Sequence, residues 1–222
     1  MALYIDSAFL DDITNVVETL DVAGVTMNPT ILLAAHERGQ HIPPLQLLKE
    51  LLRELDGSIF MQPGKIEEEK MYQQALAYSE VDTARIIPKI PMTHEGMRVA
   101  RRLKQHNYRV AFTAVNTTAQ AYVAGVMGAE FIIPYFNRME RSGINASERI
   151  AEMAKVLRDH RLETRILAAS IKTPQEAANA LLAGAHDITA PPEVLLALIR
   201  DAQTEDAVER FARDWQKMNG LS

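Results

Sequence analysis

Leu3-Tyr4-Ile5-Asp6-Ser7-Ala8-Phe9 opens the chain with a short β-rich run that turns without a glycine. A doubly wound nucleotide-binding sheet would normally carry a glycine-rich turn here, so that backbone N–H groups approach a phosphate. Seven further apolar or β-rich runs follow, at residues 23–28, 58–62, 84–90, 109–115, 131–136, 164–170 and 187–190. Amphipathic helical patterns at 43–55, 66–78, 95–106, 119–125, 147–160 and 174–183 separate them, and 192–200 and 206–219 come after the last strand. Alternating strand and helix favours a parallel sheet with right-handed crossovers. Eight units with no break in composition predict an α/β fold, a single closed (β/α)8 TIM barrel over residues 1–222 with 206–219 as an extra C-terminal helix. Helix starts carry capping signals: Thr93, Ser147 before Glu148, and Thr173 followed by Pro174.

Bulk composition narrows the function. The 222 residues suit one large domain, and 47% apolar with 24% charged residues is enough for a sizeable core. A net charge of -5 argues against a nucleic-acid partner. The absence of cysteine excludes disulfides, thiolate metal sites and a cysteine nucleophile. No apolar stretch approaches the roughly 18 residues of a membrane span. Asp6, Asp11 and Asp12 fall where a signal peptide would need apolar residues. A cytoplasmic protein without a membrane partner is the expectation.

The chemistry centres on Lys89, inside the apolar run Ala84-Arg85-Ile86-Ile87-Pro88-Lys89-Ile90-Pro91. Burying an ammonium without a partner costs several kcal/mol, and a lysine escapes that cost by losing its proton. The neutral amine is a nucleophile toward carbonyls. A strand-end lysine that reaches solvent or a carboxylate is the plainer alternative. In a barrel, however, alternate strand residues point inward and active sites form at the C-terminal strand ends. The last inward positions read Asp6, Asn28, Gln62, Lys89, Thr113, Tyr135 and Ser170, a polar group on seven of eight strands. Any one of them reads equally as a strand terminus or a helix cap, as Asn28-Pro29-Thr30 and Ser170 illustrate. The set, converging on one lysine, suits amine attack on a ketone, which needs groups to move protons through carbinolamine and iminium stages. Asp6 would hold a substrate hydroxyl or favour the iminium cation, and Tyr135, Gln62 and Thr113 would position a water. Arg138 past the sixth strand and Lys172 past the seventh, beside Ser170 and a helix start, form a candidate anion site. No metal or cofactor is required. The six histidines (His36, His41, His94, His106, His160 and His186) show no ligand constellation.

With these residues in view, the chain resembles the small-subunit transaldolase family, and within it the fructose-6-phosphate aldolase branch. The matching segments include Tyr4-Ile5-Asp6-Ser7, Ala23-Gly24-Val25-Thr26-Met27-Asn28-Pro29-Thr30, Lys89-Ile90-Pro91-Met92-Thr93, Thr113-Ala114-Val115, Pro134-Tyr135-Phe136-Asn137-Arg138 and Leu167-Ala168-Ala169-Ser170-Ile171-Lys172-Thr173. Leu182-Ala183-Gly184-Ala185 and Asp214-Trp215 match as well. The resemblance implies a Schiff-base lysine at Lys89, a dihydroxyacetone site made by Asp6, Asn28 and Thr26, and a proton-relay water held by Gln62, Thr113 and Tyr135. It implies further that Arg138, Ser170 and Lys172 hold a distal anion. The expected reaction cleaves a ketose such as fructose 6-phosphate between C3 and C4, and the dihydroxyacetone fragment is released or passed to an aldose. The pair Gln62 and Tyr135 is aldolase-like, since transaldolases proper carry glutamate and phenylalanine at these places.

Some positions depart from the family pattern. Pro88 precedes the lysine, Met61-Gln62-Pro63-Gly64 replaces a more usual apolar pair, and Ile133 and Phe112 are bulkier than expected, so both are expected to reshape the pocket. A sulfonated ketose, 6-deoxy-6-sulfofructose, offers the same tripod of acceptor oxygens as a phosphate and is an alternative substrate. A non-catalytic sugar-phosphate-binding barrel and a metal-dependent aldolase are the alternatives of other classes. The resemblance also implies a ring-shaped homo-oligomer, a pentamer or decamer. The C-terminal stripe of Ala207, Val208, Phe211 and Trp215 then packs either on a neighbouring subunit or on its own barrel.

Overall fold

Eight parallel strands close into a barrel in sequence order: β1 (Leu3–Ile5), β2 (Gly24–Met27), β3 (Ser58–Met61), β4 (Ile86–Pro91), β5 (Ala111–Thr113), β6 (Phe131–Ile133), β7 (Arg165–Ala168) and β8 (Asp187–Ala190). β8 returns to β1 through the register Leu3↔Ile188, Tyr4↔Thr189 and Ile5↔Ala190. The computed structural model describes residues 1–220. The helices are α1 (Leu10–Val17), α2 (Pro29–Glu37), α3 (Pro44–Glu54), α4 (Glu68–Ser79), α5 (His94–Gln105), α6 (Thr118–Val126), α7 (Phe136–Arg141), α8 (Ala146–Asp159), α9 (Pro174–Leu182), α10 (Pro192–Ala197) and α11 (Ala202–Met218). None of the described helices is long and apolar enough to cross a membrane.

The period-2 alternation of the strands divides the core into two clusters. Tyr4, Phe60, Ile87, Ala111, Phe131, Ile133 and Leu167 fill the barrel interior. Ile5, Val25, Met61, Ile86, Ile90, Phe112 and Ile132 face outward, against the helices. Inside, Tyr4, Phe60 and Phe131 meet edge to face, with centroids 5.4 and 5.0 Å apart. Toward the N-terminal strand ends, Arg165 clasps the fully buried Asp187 with two bonds of 2.9 and 2.7 Å, and Arg109 clasps Glu130 at 2.7 and 2.6 Å. These ion pairs lie at the end of the barrel opposite the one where Lys89 is found. Removing Phe60, which is fully buried, would cost about 3–5 kcal/mol through the cavity left behind. Gly24 is required where β2 begins: its φ is +144°, and a Cβ there would lie 1.8 Å from the Ser58 carbonyl oxygen.

All eight expected strands are present, but most are shorter than their apolar runs. Ser7, Asn28, Gln62 and Ser170 leave the ladder because the chain there turns into loops or helix caps. Three helices went unanticipated. α1 has Phe9 at its N-cap position and so no side-chain cap. α2 has a weakly amphipathic sequence, although Asn28 caps it and Pro29 occupies its first turn. α7 has only six residues. Thr93 and Thr173 cap α5 and α9 as expected, accepting from the N–H groups of Gly96 and Glu176. Ser147 does not cap α8; Asn145 does, by accepting from the N–H of Glu148. Phe112 is also corrected: it is fully buried on the helix-facing side of β5 and does not shape the pocket. α11 begins at Ala202, earlier than expected, with Asp201 as its cap. It buries none of its residues, so its apolar stripe gains no core from its own barrel in this structure.

Candidate active site

A cavity of about 170 Å³ opens at the C-terminal end of the barrel, lined by Asp6, Asn28, Thr30, Ile31, Lys89, Tyr135, Arg138, Ala169, Ser170 and Lys172. Seven of these ten are residues singled out from the sequence: Asp6, Asn28, Lys89, Tyr135, Arg138, Ser170 and Lys172. Lys89 reaches the site because β4 alternates, with Ile87 and Lys89 pointing inward while Ile86 and Ile90 pack under helices. Its side chain is 1% exposed and forms no salt bridge or hydrogen bond among the described residues. Burial pushes the amine down to about 8, and the carboxylate of Asp6 opposes part of that shift. Asp6 moves the other way: burial raises its pKa, against the lowering influences of Lys89, a hydrogen bond from Thr26, and Lys172. Burial thus disfavours the charge on both groups, while each favours the charged form of the other.

Thr26 lies behind Asp6. Its hydroxyl donates to Asp6 Oδ1 at 2.7 Å and also meets the Thr189 hydroxyl at 2.7 Å. Thr113 is likewise one step removed from the cavity, with its hydroxyl 2.7 Å from that of Tyr135. Burial raises the Tyr135 phenol, while Thr113 and Arg138 restrain the shift, so the phenol keeps its proton near neutrality. Gln62 stands just past the end of β3 and does not line the cavity, and its buried Oε1 has no hydrogen-bond partner among the described residues. An orphaned buried acceptor carries a desolvation cost, which a water or substrate hydroxyl at that oxygen would relieve. Asn28 has two uses. Its Oδ1 accepts from the N–H groups of Thr30 and Ile31 and caps α2, so it is its NH2 group that remains to face a ligand.

The cationic side of the cavity is held by its loops. Arg138 sits over the Tyr135 ring, 4.5 Å from its centroid, and neither Arg138 nor Lys172 has a salt-bridge partner among the described residues. Glu176 ties the two loops together, accepting at 2.7 Å from Asn137 Nδ2 and at 2.7 Å from the N–H of Lys172. The N–H groups of Phe136 and Asn137 donate to the carbonyls of Ala169 and Ser170, stitching the start of α7 to the end of β7. Ala114 and Ser170 both hold left-handed backbones, with φ of 58° and 57°. Such conformations cost free energy in residues with a Cβ and concentrate at functional sites.

The sequence reading missed Thr30, Ile31, Ala169 and Thr189. The first two arrive with the unexpected helix α2. Thr189 is the inward residue of β8, the one strand left without a polar end, and counting two from Asp187 would have found it. No group of three or more His, Cys, Asp or Glu side chains among the described residues is arranged to hold a metal ion.

Known proteins share this arrangement of sequence. A family model described as Transaldolase/Fructose-6-phosphate aldolase matches residues 3–221. A protein of Symbiobacterium thermophilum described as a probable transaldolase is 32% identical over 220 residues, covering 99% of each chain. The chain belongs to the transaldolase/fructose-6-phosphate aldolase family.

Proposed function

We propose that this chain is a metal-independent class I enzyme that cleaves a ketose with a terminal anionic group between C3 and C4 through an imine on Lys89. The observation that carries the reading is Lys89 itself: a buried lysine without an ion-pair partner among the described residues, lowered to about 8, opening into a cavity it shares with Asp6, Tyr135 and Arg138. The neutral amine adds to the C2 ketone, and loss of water gives the iminium. The C4 hydroxyl gives up its proton to a water held by Gln62, Thr113 and Tyr135. The C3–C4 electron pair then flows into the iminium, which becomes an enamine as the aldehyde departs. Asp6 and Asn28, with Thr26 behind, hold the hydroxyls of the dihydroxyacetone part.

The enamine has two exits. Protonation at C3 followed by hydrolysis releases dihydroxyacetone, and attack on an acceptor aldehyde re-forms a carbon–carbon bond. The neutral pair Gln62 and Tyr135 supports release alongside transfer. Arg138, Ser170 and Lys172 would hold a phosphate, as in fructose 6-phosphate, or the sulfonate of 6-deoxy-6-sulfofructose, since both present three acceptor oxygens. Borohydride reduction in the presence of each ketose, with peptide mapping, tests the reading. A dihydroxyacetone adduct on Lys89 is expected with the true donor. An adduct on another lysine, or Lys89→Ala that retains full turnover, would overturn the mechanism.

A further inference from the structure

The hydroxyl of Thr189 has no place in the chemistry above, yet it is fully buried inside the barrel and 2.7 Å from the Thr26 hydroxyl. The barrel geometry explains the contact. β1 lies between β2 and β8, paired with both. Inward side chains of alternate strands share a layer, so Thr26 of β2 and Thr189 of β8 meet across the strand that carries Asp6. Thr26 Oγ1 is therefore bonded on two sides, to Asp6 Oδ1 and to Thr189 Oγ1, each at 2.7 Å.

A hydroxyl has one hydrogen to give, and an ionised carboxylate can only accept. While Asp6 is charged, the Thr26 hydrogen must go to Asp6, and the hydrogen in the Thr26–Thr189 contact must come from Thr189. We propose that Thr189 is a positioning residue for Asp6: by donating to Thr26 it commits the single Thr26 hydrogen to the Asp6 carboxylate. Without that donor the buried Thr26 hydroxyl keeps an unfilled lone pair and loses the polarisation that strengthens its own donation, so the bond that favours the charge and orientation of Asp6 weakens. Asp6 is also faced by Lys89 from β4, by Lys172 beyond β7 and by Tyr135 beyond β6. None of these three hydrogen-bonds Thr189 or Thr26, so the hydroxyl pair acts on Asp6 alone. The catalytic consequence rests on the role given to Asp6 above; the effect on the carboxylate does not.

Carboxyl-carbon NMR titration of Asp6 in the full chain, without substrate, tests the proposal directly. Thr189→Val should move the Asp6 midpoint upward by up to about one pH unit, a tenfold change in acid dissociation. Thr189→Ser, which keeps the hydroxyl, should restore it. In a Thr26→Val background, adding Thr189→Val should move the midpoint no further, because Thr189 acts only through Thr26. An Asp6 midpoint unchanged in Thr189→Val, or a shift that adds to that of Thr26→Val, would overturn the proposal. If Thr189→Val does not fold, the Thr189→Ala variant carries the same expectations. Kinetics form the second arm: kcat for ketose cleavage should fall about tenfold in Thr189→Val with little change in KM, and recover in Thr189→Ser. Failure of the wild-type protein to form any imine would remove the functional reading, and the titration would still decide Thr189.

Discussion

Lys89 and Asp6 line one cavity and pull each other's ionisation toward the charged state, but no salt bridge joins them. The separation matters for chemistry. A close ion pair would hold the amine protonated and inert, whereas a more distant carboxylate offsets only part of the desolvation. At pH 7 an amine titrating at about 8 is roughly one-tenth neutral.

Imine formation should therefore rise about tenfold per pH unit below 8 and level off above it. The sign for Asp6→Asn follows from its influence: the carboxylate raises the Lys89 pKa, so its removal should move the midpoint below 8. Single-turnover trapping with borohydride across pH measures both. An upward shift in Asp6→Asn would mean that the carboxylate does not act on Lys89 through its charge.

Arg138 has no carboxylate partner among the described residues and stands over the Tyr135 ring, as the proposed anion clamp requires. Arg138→Ala should raise KM for a phosphorylated or sulfonated ketose by roughly 10- to 100-fold, the worth of a charge-assisted bond. Turnover of neutral dihydroxyacetone in the synthetic direction should hold steady. Glu176→Ala, which unties Asn137 from the backbone of Lys172, should move the same KM in the same direction by a smaller factor. Steady-state kinetics with charged and neutral substrates separate these effects; an equal loss on both would remove the anion-clamp role.

Much of this was legible in the sequence because a barrel imposes two strict periods. Helix–strand alternation set the architecture, and inward alternation within β4 placed Lys89 at the open end of the barrel. The misses have local causes. Phe112 counts as pocket-lining only if the strand phase is ignored; Thr113 points inward, so its neighbour cannot. α2 hid because Pro29–Glu37 exposes most of its residues and lacks a strong apolar stripe. Thr189 stayed unread because β8 ends on Ala190, and a polar group one layer deeper gives no signal at the strand end.

The hydroxyls of Thr113 and Tyr135 lie 2.7 Å apart, and Tyr135 reaches the cavity while Thr113 does not. Tyr135→Phe removes the group that touches the proposed water and leaves a buried threonine hydroxyl unpartnered, at about 1–3 kcal/mol. Release of dihydroxyacetone should slow at least about 100-fold, the scale of a lost proton-transfer group. Combining Tyr135→Phe with Gln62→Glu replaces phenol and amide with a carboxylate. Transfer to an acceptor aldehyde should return in that double variant while hydrolytic release stays low. Product analysis with and without acceptor reads the ratio, and equal recovery of both exits would show that these two positions do not set the balance.

α11 presents Val208, Phe211, Trp215 and Met218 on one stripe, and every one is exposed, Phe211 at 62% and Trp215 at 65%. Fully burying an aromatic or large aliphatic side chain contributes about 1.5–3 kcal/mol, so a helix that leaves four of them in water forgoes a substantial gain. Its opposite face supplies no alternative core contact, because none of its residues is buried. A second copy of the chain would cover the stripe, consistent with the homo-oligomer expected from the family resemblance. Truncation before Asp206 should therefore lower the mass measured by light scattering, while the barrel, in whose core no residue of this helix is buried, keeps its thermal midpoint apart from the lost subunit contacts. An unchanged mass would mean that the stripe does not hold the assembly together, and a truncated chain that fails to fold would show that the helix supports its own barrel in a way its exposure conceals.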